Sequence, residues 1–128
     1  MKILSEISAG ELLDKLTILE IKMEKIKDEE NKKEIKKEFD SLKKTQDESI
    51  KFTDEIKNLY KSLKTTNEKL WDVEDKLRIA EKDKRFDNVF TELAREVYKT
   101  NDQRSKIKLK INKLLKSNIR EIKQYVQY

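Results

Sequence analysis

Four side chains able to bind a ligand recur at steps of four and three along one stretch of this chain: Asn67, Trp71, Glu74 and Arg78. A second stretch offers a phenol, an amide, a carboxylate and a guanidinium in Tyr98, Asn101, Asp102 and Arg104. At helical spacing each set shares a face, and an indole beside carboxylate, amide and guanidinium groups suits a small polar ligand. The layer also has a structural reading. A buried asparagine pair sets register between helices, and Glu74 with Arg78 is an ordinary i,i+4 pair of about 0.3–0.5 kcal/mol. A third group, Glu11, Asp14, Lys15 and Thr17, stands near the N-terminus. There the acids favour a helix dipole and Lys15 pairs back to Glu11. Thr17 is harder to place, because a β-branched hydroxyl gains nothing on an exposed helix.

Composition narrows the chemistry these groups could do. The 128 residues include no histidine, cysteine or proline and one glycine, Gly10. Histidine-dependent triads, thiol chemistry and disulfides are therefore out of reach. A hydrolytic reading is left to carboxylates holding Mg²⁺, as in all-helical nucleotide hydrolases. Glu11-x-x-Asp14 has the required spacing and Asp72-x-x-Asp75 comes near it, but no matching pair follows on the later helix, where Glu92 and Glu96 are four apart. No residue set calls for a catalytic role, a cofactor or a bound metal. Lysine outnumbers arginine 26 to 5, and all five arginines lie in the second half. Where lysine serves almost everywhere, an arginine suggests a need for its planar fork.

Charged residues form 45% of the chain, yet the net charge is only +5 and the apolar residues are periodic, which argues for folding over disorder. One glycine and no proline leave little turn chemistry for sheets, so the expected fold is all-α. Ser8 and Glu11 have capping-box spacing, ahead of a stripe of Leu12, Leu16, Leu19, Met23 and Ile26. Helices are expected at 9–27, 31–44 (capped by Asn31), 53–82 and 87–116, with a short last helix at 118–127 that Asn118 and Glu121 could start. Thr45 to Ser49 reads as a connection. Ile56, Leu63, Leu70 and Leu77 lie seven apart, a coiled-coil-like seam.

Two long helices joined by the charged turn Lys82-Asp83-Lys84-Arg85 must form an antiparallel hairpin, with the N-terminal helix packed alongside in a small bundle and residues 1–128 as one domain. A turn centred near residue 84 sets Leu70 beside Tyr98 and Asn67 beside Asn101. Both apolar stripes fail at that height, so the polar layer falls inside the seam.

Three stretches, GELLDKLTILEIK from Gly10, NEKLWDVED from Asn67 and ELAREVYKTNDQR from Glu92, with Lys108 and Ile111-Asn112 following, together resemble an uncharacterised bacterial family of short all-helical proteins, a domain of unknown function. The resemblance implies a helical domain and brings no established activity, cofactor or catalytic residue. The favoured function is a non-enzymatic binding or scaffolding module, working as a homodimer or with another helical protein. Nucleic-acid binding by a basic C-terminal face (Lys106, Lys108, Lys110, Lys113 and Lys116) is the less favoured alternative, because arginine and exposed aromatics are scarce there. No apolar run exceeds two residues, so neither a membrane span nor a signal-peptide core is expected, and the cytoplasm is the expected compartment.

Overall fold

Each helix begins where a short oxygen-bearing side chain caps it. Ser8, Asp28, Thr53 and Asp87 lie in extended backbone and accept a hydrogen bond from the N–H three residues on, satisfying one of the donors a helix start leaves open. The computed structural model describes residues Met1–Tyr128. From those caps run four helices and no strand: α1 Ala9–Lys25, α2 Glu29–Ser49, α3 Asp54–Lys82 and α4 Asn88–Leu114.

The contacts fix how they pack. Lys69 of α3 meets Glu96 of α4 at 3.0 Å, as the short turn between them requires of antiparallel helices. Gly10, Glu11 and Asp14 of α1 meet Asn112, Lys108 and Arg104 of α4 in reverse order, so α1 also runs antiparallel to α4. α2 packs on α1 alone. The core lies at the end of the bundle where α1, the start of α3 and the end of α4 converge, with Leu12, Leu13, Leu16, Ile56, Leu63 and Ile111 buried together. Along the heptad series Ile56 and Leu63 are fully enclosed and Leu70 nearly so. Leu77 is only half-buried, because there two helices alone must cover it. No helix is long and apolar enough to cross a membrane.

Both long helices close in the same way without glycine. Arg85 N–H bonds back to Ala80 and Lys84 N–H to Glu81; Ser117 N–H bonds back to Asn112 and Lys116 N–H to Lys113. Each is a Schellman closure, with Lys84 at φ 52° and Lys116 at φ 51° in the left-handed position glycine usually takes.

Three expected segments differ. The second helix starts at Glu29 under Asp28, not under Asn31, whose N–H is the donor to that cap. It also runs five residues past Lys44. Lys43–Asp47 (3.1 Å) and a Thr45 hydroxyl bonded to Ser41 O support the extra turn, and Gln46 is buried. α1 ends two residues short of the expected Lys27, with Ile26 as its cap. The helix expected at 118–127 is absent, and residues 117–128 form a non-helical strap. Its capping groups are diverted. Asn118 donates to Glu6 (2.6 Å), and Glu121 pairs with Lys108 and Lys123. A ten-residue helix without its cap is too short to hold on propensity alone.

Candidate functional site

The polar residues of the bundle gather on Asp14. Its side chain is 1% exposed, which an unpaired carboxylate could not tolerate. Arg104 grips it with both arms of its fork, Nε to Oδ1 at 2.8 Å and Nη2 to Oδ2. Asn67 donates to the same Oδ1 at 2.9 Å, and Lys108 Nζ stands 3.8 Å away. Burial pushes the Asp14 carboxyl upward, but these hydrogen bonds and the two cations more than offset it and hold it below the ordinary value. Arg104 is raised, chiefly by the same hydrogen bond. Thr17, fully buried, donates to Asp14 O at 2.7 Å and accepts from Asn67 at 2.9 Å. Its hydroxyl thus serves the layer.

A second step of the network lies one turn nearer the start of α1. Glu11 divides its carboxylate between exposed Lys15 at 3.6 Å and Lys108 at 2.7 Å. Beyond it the open N–H groups of α1 are taken: Ala9 by the Ser117 hydroxyl and Gly10 by Asn112 Oδ1 at 2.7 Å. A Cβ at Gly10 would lie 2.6 Å from the Lys108 carbonyl oxygen, so the single glycine is where two backbones touch.

The two gaps in the apolar stripes therefore meet on a third element. Asn67 and Asn101 do not bond each other; Asn67 binds Asp14, and Asn101 accepts a long contact from Arg104 at 3.4 Å. Trp71 is half-buried with no hydrogen bond. Glu74 and Arg78 form only their own 3.8 Å pair on the surface, and none of the three reaches Asp14 or Arg104. One buried hydroxyl, that of Thr100, has no partner, and nothing nearby explains it.

In front of the network lies a cleft of about 700 Å³ between α4 and the strap. α4 supplies Tyr98, Asn101, Asp102, Arg104, Ser105 and Lys108 to its wall, α1 supplies Glu11, and the strap supplies Glu121, Lys123, Tyr125, Val126 and Tyr128. Trp71, Glu74 and Arg78 are not among its lining. The strap is held at its far end by Tyr128, whose ring meets Tyr98 edge to face at 5.1 Å and whose hydroxyl donates to Asp102. That bond raises the phenol's pKa. Nearer its start Glu121 stands 3.6 Å from Lys108 and 2.6 Å from Lys123, and Lys123 first, then Lys108, lowers its carboxyl.

Sequence alone offers Asp14 both as a helix-dipole acid and as a candidate ligand group, places Lys108 on a basic face, and gives Gly10 and Asn112 no chemical role. A signal was present. Arg104, Lys108 and Asn112 recur at steps of four, and Gly10, Asp14 and Thr17 at four and three, two complementary polar faces for antiparallel helices. The basic face expected along α4 loses one member, since Lys108 is 9% exposed and paired to acids. The acids Glu11 and Asp14, spaced for Mg²⁺, face cations instead, and nowhere do three acidic side chains cluster.

A model of a family of unknown function, DUF6165, matches residues 1–127. No curated protein and no solved structure matches the chain.

Proposed function

For a chain that belongs to the DUF6165 family of unknown function, we propose a non-enzymatic helical binding module whose ligand seat is the cleft between α4 and the strap. The observation that carries this reading is the state of the charged groups behind the cleft. Asp14 is lowered and Arg104 raised by their mutual hydrogen bonds, so neither is poised to move a proton near neutral pH. Glu11 and Lys108 are likewise committed to each other. Groups this firmly paired give a wall of fixed shape and charge, which favours recognition over turnover.

In this reading Tyr98, Asn101, Asp102 and Arg104 touch the ligand from α4 and Glu11 from α1. Asp14, Thr17 and Asn67 hold Arg104 from behind. The reading includes a macromolecular partner, a second copy of the chain or another helical protein. Exposed Phe86 and Val89 at the tip of the α3–α4 hairpin support it. It places the module in the cytoplasm, in keeping with a chain that has neither cysteine nor a long apolar run.

Native mass spectrometry of the purified full chain tests the seat. Ser105 lines the cleft, and Ser105→Phe fills it. A small-molecule adduct on the wild type that the variant lacks is the expected result. Identical adduct-free spectra from both chains would refute the seat.

A further inference from the structure

One carboxylate lining the cleft has no ion-pair partner and points to the ligand class, and the inference rests on reading that cleft as the ligand seat. Three cations stand around it, Arg104, Lys108 and Lys123. Each has a carboxylate of its own: Asp14 for Arg104, Glu11 for Lys108 and Glu121 for Lys123. Of the three carboxylates that line the cleft, Glu11 and Glu121 are paired and Asp102 is not. Asp102 forms no ion pair and takes only the Tyr128 hydroxyl, a neutral donor that leaves its charge uncompensated. Its i+4 neighbour Lys106 would ordinarily pair with it, yet does not. Lys106 lines the adjoining recess of about 440 Å³ but not the cleft.

The surroundings of that free charge are aromatic. Tyr98 and Tyr128 meet edge to face at an interplanar angle of 86°, and Tyr125 lines the same cleft. Tyrosine rings beside an uncompensated carboxylate form the chemistry that selects an ammonium group, the rings by their negative faces and the acid by its charge. A carboxylate or phosphate ligand would meet no free cation in the cleft and would face Asp102. We propose that the cleft binds a small organic cation, an amine or quaternary ammonium, with its charge at Asp102 and its alkyl surface against Tyr98, Tyr125 and Tyr128. The strap supplies two of the three rings, so it completes the site.

Titration of the ¹⁵N-labelled full chain with tetramethylammonium chloride, and separately with sodium acetate and sodium phosphate at matched ionic strength, tests this. The expected result is saturable shifts of the Tyr98, Asp102 and Tyr128 amide signals with tetramethylammonium alone. Asp102→Asn weakens that binding about tenfold or more, while Asp75→Asn, on an exposed acid outside the cleft, leaves it unchanged. Asp102 lies on the surface side of α4, and circular dichroism checks that its variant keeps the fold. Should that variant unfold, Tyr98→Leu asks the same question through the ring. Saturable binding of phosphate or acetate at those signals would overturn the cation while leaving the cleft as a ligand seat. Absence of binding by all three probes overturns the assignment, as does tetramethylammonium binding that Asp102→Asn and Tyr98→Leu leave unchanged.

Discussion

Replacing Asp14 by asparagine keeps the shape of the side chain and removes the charge that Arg104 and Lys108 share. In the wild type the carboxylate takes two hydrogen bonds from Arg104 and one from Asn67, at 1% exposure. The asparagine amide can accept at one atom only. Its NH₂ must face the guanidinium in either orientation, and in one of them the Asn67 amide as well, donor against donor. Removing one partner of a buried ion pair costs about 3–5 kcal/mol, at least a fifth of the roughly 5–15 kcal/mol available to a domain. Urea denaturation followed by circular dichroism reads this directly. Acid adds an independent signature. Because folding lowers the Asp14 carboxyl, the unfolded chain binds more protons between the native value and the unfolded value of about 3.9. This contribution is complete above the unfolded value and is lost as pH falls through the native one, so Asp14→Asn should flatten that part of the acid limb. The apolar double variant Asp14→Leu/Arg104→Met should cost less than the two single changes together, since no charge is then stranded. An Asp14→Asn penalty below about 1 kcal/mol, the level of an exposed pair, would refute the reasoning.

Two further substitutions probe how the elements are fastened. Gly10→Ala should destabilise, although alanine is the better helix former by about 1 kcal/mol. Its Cβ would meet the Lys108 backbone at 2.6 Å, and such overpacking costs about 1–3 kcal/mol; an increase in melting temperature would contradict the close contact. Lys84→Gly should stabilise, by up to about 1 kcal/mol, because a left-handed lysine costs about 1–2 kcal/mol and glycine returns part of that as chain entropy. Lys116→Gly should do the same at the end of α4, and melting curves of both variants check the pair; a loss of stability in both would show that the left-handed closures do not form.

The all-helical fold and the antiparallel hairpin could be read from the sequence because they rest on repetition. Heptad leucines and a single glycine leave few other architectures for a chain of this charge. What escaped reading depended on partners distant along the chain. Asp14 looks like an ordinary acid near a helix start until α4 is laid against α1, and only then does Arg104, 90 residues away, give the reason for an arginine where lysine is the rule. Asn67 and Asn101 interrupt the two apolar stripes, and what they share is the Asp14–Arg104 pair, supplied partly by a helix outside the hairpin. Trp71, chemically the most distinctive residue of the seam, proved a poor guide, since an indole suits a half-buried helix flank as well as a pocket.

The strap explains the other failure. Asn118 and Glu121 have the spacing to start a helix, and Ile119, Ile122 and Val126 would give it an apolar side. Local pattern alone therefore favours a helix there. It loses because the capping groups have stronger calls elsewhere: Ser117 on the first N–H of α1, Asn118 on Glu6, Glu121 on Lys108. The same contacts that prevent the helix bring Tyr125 and Tyr128 across α4 to face Tyr98. Had those twelve residues coiled, at 1.5 Å per residue they would span only about 18 Å, and the extended path that walls the cleft would be lost. The cleft is therefore a consequence of a local preference overruled, and any change that frees Asn118 to cap should draw the strap toward helix and away from Tyr98.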